Sequence, residues 1–99
     1  MISTTFDHIH VHAADPERTV HFWTETFGAD RIGQIPAGGG GTNRILLLGA
    51  QFLVVSEAPE GAAVHPGGPY TDGALSHGVG VSHIGLNVTD IEAWAERLA

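Results

Sequence analysis

The sequence predicts an α+β fold, in which a β-α-β-β-β module is followed by the β-α start of a second module. Histidines at alternate positions of residues 6–12 indicate a strand with two chemically different faces. An apolar stripe of helical period follows, and two short apolar segments then flank a Gly-Ala turn. The pattern of the first strand and helix recurs from His83, 75 positions after His8.

Composition and charge narrow the classes of function. The 99 residues are 42% hydrophobic and 15% charged, which is typical of a globular chain. A net charge of −7 argues against nucleic acid and anionic membranes as partners, because both require basic surfaces. With no cysteine, no apolar run near the ~20 residues of a membrane helix and no signal-peptide pattern, we expect a cytoplasmic protein that binds a small molecule or another protein.

The segment DHIHVHAADPE begins the first module. Side chains of a strand alternate between its faces, so His8, His10 and His12 share one face and Ile9 and Val11 share the other. This strand, over residues 6–12, therefore has one face rich in imidazole.

A helix is predicted from Pro16 to Phe27. Asp15 is a favourable N-cap, Pro16 suits the first helical position, and Gly28 suits the C-terminal end. The apolar stripe of this helix consists of Val20, Trp23 and Phe27.

Three further strands complete the first module, with Pro36–Gly41 as a hairpin loop that lacks a phosphate-loop signature. A long Gly- and Pro-rich loop spans residues 57–80. The predicted strands are Ala29–Ile35, Arg44–Leu48, Gln51–Val55 and, after the loop, Val81–Val88, which precedes a helix near Ile91–Leu98.

An internal repeat links the two ends of the chain. Both copies read His-Ile, then Asp seven positions after the His, then Glu two positions later. The matching pairs are His8 and His83, Ile9 and Ile84, Asp15 and Asp90, and Glu17 and Glu92. Strand, helix cap and acidic first turn recur in the same order, which indicates one β-α unit used twice.

These motifs, together with FWTETFGAD after the first strand, resemble the vicinal oxygen chelate superfamily, which includes glyoxalase I, epimerases, extradiol dioxygenases and bleomycin-type resistance proteins. The resemblance implies a single glyoxalase-like domain with a truncated second module. Its parts are the first module at 1–56, a linker loop at 57–80 and the partial second module at 81–99. It also implies a cavity that is often built from modules of two chains, hence a homodimer or association with the missing module.

The resemblance further implies a divalent metal, one of Zn, Ni, Co, Mn or Fe, with His8 and His83 as ligands. The acidic ligand expected on the fourth strand is replaced by Val54, and Gln51 or Glu57 takes its place only in a different strand register. His10 and Glu57 are the candidate catalytic residues, since a nearby histidine or carboxylate acts as the base.

The implied activity is that of a metal-dependent lyase or isomerase of the glyoxalase or epimerase type. Two alternatives stay open, an extradiol dioxygenase and a metal-free protein that binds a small molecule or confers resistance by sequestering it. Val54 at the ligand position favours the metal-free alternative.

Overall fold

The computed structural model of the chain describes residues 2–62 and 83–99. The chain divides into two compact units, Met1–Ala63 and Val64–Ala99. In the first unit the elements are β1 (His8–Ala13), α1 (Pro16–Phe27), β2 (Asp30–Pro36), β3 (Thr42–Leu48) and β4 (Gln51–Glu57). In the second unit the described helix is α2 (Ile91–Leu98). Among the described residues, no helix combines the length and the apolar character needed to cross a membrane.

Helix α1 has the predicted bounds, and its ends show why. The side chain of Asp15 accepts a hydrogen bond from the backbone N–H of Arg18 at 3.2 Å, and Pro16 occupies the first turn. At the other end Gly28 adopts a left-handed conformation with φ of 73° and donates to the carbonyl of Thr24 at 3.1 Å. The glycine is needed because a side chain is disfavoured in that conformation.

The four strands form one sheet in the order β1-β4-β3-β2. β2 and β3 are antiparallel, as are β3 and β4, whereas β1 lies parallel to β4. The first-module strands are confirmed, with ends that differ from the predicted ones by one or two positions. A left-handed Gly49 makes the predicted turn between β3 and β4, and a short 3-10 turn at Gly38–Gly40 lies within the predicted β2–β3 loop.

One face of the sheet is covered by α1. The buried apolar residues are Ala13, Val20, Ala29, Leu46, Leu53 and Val55. Leu46 and Val55, on adjacent strands, are both 0% exposed and form the centre of this small core. Trp23 packs against the core from α1, as its helical spacing predicted.

The opposite face, called the open face here, carries His8, His10 and His12 on β1. The parallel register pairs His8 with Phe52 and His10 with Val54. Since paired residues project to the same side of a sheet, these side chains of β4 also belong to the open face. Alternation along two strands therefore brings imidazole and apolar groups together on the surface that α1 leaves uncovered.

The second unit confirms the predicted helix but not the predicted strand. Asp90 caps α2 by accepting from the backbone N–H of Ala93 at 3.1 Å. Residues 83–88 are not part of a strand, and residues 81 and 82 lie outside the described residues. The prediction of a strand over 83–88 is wrong for this structure, because an extended segment becomes a strand only when its N–H and C=O groups pair with a neighbour. Of the predicted loop 57–80, Glu57 belongs to β4, and residues 63–80 lie outside the described part.

Candidate functional site

Two adjoining cavities lie on the open face. The first, of about 530 Å³, is called the apolar pocket, and it is lined largely by Ile35, Ile45, Phe52 and Val54. The second, of about 540 Å³, is called the glycine-loop pocket, and its walls include residues 37–41. His10 and Asn43 line both cavities, so they stand at the boundary between an apolar and a polar compartment.

His8 lines the apolar pocket next to Asp7. Nδ1 of His8 lies 2.7 Å from Oδ2 of Asp7. With Nδ1 as the donor to this carboxylate, the uncharged imidazole tautomer has its lone pair on Nε2. Metal-ligating histidines commonly donate their second nitrogen to a carboxylate in this way. His8 therefore fits the role of a metal ligand that the sequence predicted.

The other predicted metal ligands do not form a complete coordination site with His8 in the described residues. His83 belongs to the second unit, and its sharing of one ion with His8 stays a prediction. Within the described residues, no group of three or more His, Cys, Asp or Glu side chains is arranged to hold a metal. β4 presents Val54 opposite His10, whereas alternation directs Gln51 and Glu57 to the other side of the strand. Gln51 therefore does not take the place of the missing acidic ligand on the open face. Glu57, at the end of β4, lines the glycine-loop pocket, but its carboxylate is engaged by Arg44 and by the backbone of Thr42.

His10 is held by the hydroxyl of Ser56. Nε2 of His10 lies 2.7 Å from Oγ of Ser56, and that hydroxyl donates to the backbone carbonyl of Glu57 at 3.3 Å. When the hydroxyl donates to the carbonyl, Nε2 is the donor in the first bond and Nδ1 of His10 is the unprotonated nitrogen. Burial, and then the neighbouring His12 and His8, lower the pKa of His10, which favours this neutral form. The His10 and His12 rings meet edge to face, with centroids 4.9 Å apart.

Glu57 is engaged by groups that hold it ionised. Its carboxylate accepts from Nη2 of Arg44 and from the backbone N–H of Thr42, each at 2.9 Å. The hydrogen bonds from Arg44 and then Thr42 lower the pKa of Glu57 to about 2. A carboxylate of such low basicity is a weak proton acceptor near neutral pH. The catalytic role predicted for Glu57 stays a prediction, and this environment counts against it.

Arg44 joins three elements on the side of the sheet that faces α1. Its Nε donates to Glu17 of α1 at 2.8 Å, while Arg31 of β2 donates to the same carboxylate at 2.8 and 3.1 Å. Only 11% of the Arg44 side chain is exposed, and Glu57 and then Glu17 raise its pKa. Sequence reasoning did not identify this network, since its members are separated by 13 to 27 positions.

Asn43 was also missed by sequence reasoning. Its Oδ1 atom is buried and has no hydrogen-bond partner in the described part of the chain. Buried acceptors are normally satisfied, so an unpaired one at the boundary of two cavities requires an explanation. The only available signal was the position of a polar residue at the start of an otherwise apolar strand.

Comparisons with known proteins agree with this architecture. Residues 5–99 match the family model of the Glyoxalase/Bleomycin resistance protein/Dioxygenase superfamily. One similar structure is that of a mutant of the genomically encoded fosfomycin resistance protein FosX from Listeria monocytogenes, complexed with Mn(II) and 1S,2S-dihydroxypropylphosphonic acid. It matches this chain with a TM-score of 0.65 at 18% sequence identity, and the match covers 99% of this chain and 68% of that chain. The monoclinic form of FosX gives a TM-score of 0.64 at 16% identity, covering 99% and 69%. A search of curated proteins found no match.

Proposed function

Because the chain belongs to the glyoxalase, bleomycin resistance protein and dioxygenase superfamily, we propose that it is a metal-dependent lyase or isomerase acting on a small molecule bound at the open face. The observation that carries this proposal is the hydrogen bond between Asp7 and His8, which leaves Nε2 of His8 as a metal donor beside the apolar pocket. The Mn(II) in the FosX complex supports a divalent ion in a protein of this fold.

His8 and His83 are the proposed protein ligands of that ion, which is one of Zn, Ni, Co, Mn or Fe. A divalent ion there supplies a Lewis acid that polarises the oxygens of a bound substrate. Asp7 keeps the His8 ring in the tautomer and orientation that metal binding requires. Further ligands must come from beyond the described groups of the first unit or from the substrate itself.

His10 is the proposed base. Ser56 holds its ring through Nε2, so the lone pair of Nδ1 accepts a proton from a substrate carbon or hydroxyl. His12 contacts the His10 ring and limits the orientations open to it. The apolar walls formed by Ile45, Phe52 and Val54 offer contact to an apolar part of the bound molecule.

The metal content of purified variants tests this function. The wild type is dialysed against Mn(II), then against metal-free buffer, and the retained metal is measured by mass spectrometry. Retention is expected to be lost in His8→Ala and in His83→Ala. The matched control is His21→Ala, which removes an exposed imidazole from α1. Full retention by both single variants contradicts the proposed ligand pair.

A second candidate function is metal-free binding of a small molecule. Val54 on the open face, and the lack of a complete ligand cluster in the described residues, favour it. In that case the wild type retains no metal after dialysis, yet it still binds apolar molecules in the presence of a chelator. Metal retention that depends on His8 excludes this candidate.

A further inference from the structure

The segment between β2 and β3, residues 37–41, is called the glycine loop, and it is held by its own backbone and by one side chain. The N–H of Ala37 donates to the carbonyl of Gly41 at 2.9 Å, which ties the two ends of the loop together. The next backbone N–H, that of Thr42, donates to Oε2 of Glu57 at 2.9 Å. The loop and Glu57 line the same cavity, so this carboxylate is placed to fix the loop where it forms the pocket.

Position 41 excludes a side chain for a reason that the backbone does not supply. Gly41 has a φ of −83° and a ψ of −174°, an extended conformation that any residue adopts. A Cβ atom at this position would nevertheless lie 2.9 Å from Oε2 of Glu57, closer than Cβ atoms approach other atoms in proteins. At Gly38 of the same loop a Cβ atom meets nothing within 4 Å. The Glu57 carboxylate, and not the path of the chain, therefore requires glycine at position 41.

The carboxylate is held in this place through both of its oxygens. Nη2 of Arg44 donates to Oε1 of Glu57 at 2.9 Å, while Oε2 accepts from Thr42. Nη1 of Arg44 donates to the carbonyl of Thr42 at 2.9 Å, so one guanidinium contacts both the carboxylate and the residue that follows the loop. The bonds from Arg44 and then Thr42 lower the pKa of Glu57 to about 2. Moving the carboxylate to admit a side chain at position 41 breaks at least one charge-assisted hydrogen bond.

We propose that Glu57 is a positioning residue, whose carboxylate fixes the glycine loop as a wall of the glycine-loop pocket, and that Gly41 is required by this contact. The proposal rests on the proposed function in taking this pocket, which His10 and His12 also line, as part of the substrate site. Glu57 then acts on the substrate only through the position of the loop, while His10 is the base. This role accounts for a tightly held carboxylate beside the candidate base without assigning a proton transfer to it.

Amide hydrogen exchange of the full chain, followed by NMR, tests the positioning role. In Glu57→Ala the amide of Ala37, whose own bond lies within the loop, is expected to exchange about fivefold faster or more, because the bond to a charged group no longer holds the loop. The control is Glu17→Ala, which removes the other carboxylate partner of Arg44 and keeps the bond between Glu57 and Thr42. Ala37 is expected to keep the wild-type rate there. An unchanged rate in Glu57→Ala, or an equal increase in both variants, overturns the proposal.

Substitutions within the loop test the requirement for Gly41. Gly41→Ala is expected to displace the carboxylate, so that the Thr42 amide exchanges about fivefold faster or more. The pKa of Glu57, followed by NMR of its carboxyl carbon, is expected to rise toward the ordinary glutamate value of about 4.3. Gly38→Ala is the matched control, because it adds the same methyl group to the same loop in open space and outside the left-handed region. It is expected to change neither quantity, and equal behaviour of the two variants rejects the contact.

A double variant joins the two tests. In the Glu57→Ala background Gly41→Ala is expected to have no further effect on exchange in the loop, since the group that it would meet is gone. An equal effect in both backgrounds contradicts the proposal. If Glu57→Ala fails to fold, the comparison of Gly41→Ala with Gly38→Ala decides alone.

These outcomes are separate from those for the metal. A wild type that retains no metal but shows this coupling contradicts the metal-dependent function and leaves the role of Glu57 in place. Metal retention without the coupling contradicts only the role of Glu57.

Discussion

The Asp7 carboxylate accepts a hydrogen bond from Nδ1 of His8 at 2.7 Å, which leaves Nε2 of the same ring to bind a metal. We expect Asp7→Ala to weaken Mn(II) binding about tenfold or more, the usual cost of removing the partner of a ligating histidine. The measurement is competition dialysis against a chelator of known affinity. Asp30→Ala, which removes an exposed carboxylate at the start of β2, is the control. Unchanged affinity in Asp7→Ala shows that His8 does not depend on this carboxylate.

The side chain of Arg44 is a stabilising link between α1, β3 and β4. Replacement by Met keeps most of the apolar stem but leaves two carboxylates without their shared partner. We expect Arg44→Met to lower the free energy of unfolding by roughly 1–3 kcal/mol, measured by urea denaturation. Arg18→Met, on the exposed surface of α1, should change it by less than about 0.5 kcal/mol. Equal effects of the two substitutions contradict a structural role for the Arg44 network.

Acid should destabilise the first unit. The pKa of Glu57 is lowered to about 2 by Arg44 and then Thr42, and that of Glu17 to about 2 by Arg31 and then Arg44. Between the ordinary glutamate pKa of about 4.3 and these values the unfolded chain binds more protons, so stability is complete above about pH 5 and falls toward pH 2. Urea midpoints across this range should decrease in the wild type and decrease less in Arg44→Met. A flat profile in the wild type is the contrary result.

Association with a second copy is expected from the exposed edge of the sheet. Among residues 2–62 and 83–99, β1 and β2 are the outer strands of this sheet, and an outer strand offers unpaired backbone groups to another chain. Edge-to-edge pairing extends the sheet and leaves the open face available. Sedimentation equilibrium at micromolar concentration should give about twice the 10.4 kDa of the chain. A Pro substitution at Val11 of β1 should restore the monomeric mass, with the retained fold checked by circular dichroism, and a monomeric wild type rejects the expectation.

Local sequence signals predicted most of the first unit. Asp15, Pro16 and Gly28 act within one helix, so the bounds of α1 could be read directly from the sequence. The strand ends were predicted less accurately, because a strand ends where its pairing with a neighbouring strand ends. For example, β4 continues to Glu57 because Ala13 of β1 pairs with that residue. The predicted strand over residues 81–88 rested on similarity to β1, and similarity of sequence does not supply the neighbouring strand that β1 has.

The positions of the site residues were predictable from the sequence only where side-chain alternation within a single strand determines them. The common face of His8 and His10 follows from alternation along β1, and the structure places both histidines on the open face. The engagement of Glu57 by Arg44 and the unpaired oxygen of Asn43 depend on contacts between strands. Charge and polarity in the sequence therefore identified candidate residues, whereas only the folded structure shows which other groups contact each of them.

The parallel pairing of β1 with β4 predicts the order in which the strands of the first unit fold. β2, β3 and β4 follow one another through short connections, whereas His8 pairs with Phe52, 44 positions further along the chain. Closing so long a segment costs conformational entropy before its contacts form, so we expect the amino-terminal strand to dock last. That strand carries the histidines of the open face, and a bound metal or ligand stabilises only the docked form. We therefore expect binding at the site and docking of the amino-terminal strand to be linked equilibria, each favouring the other.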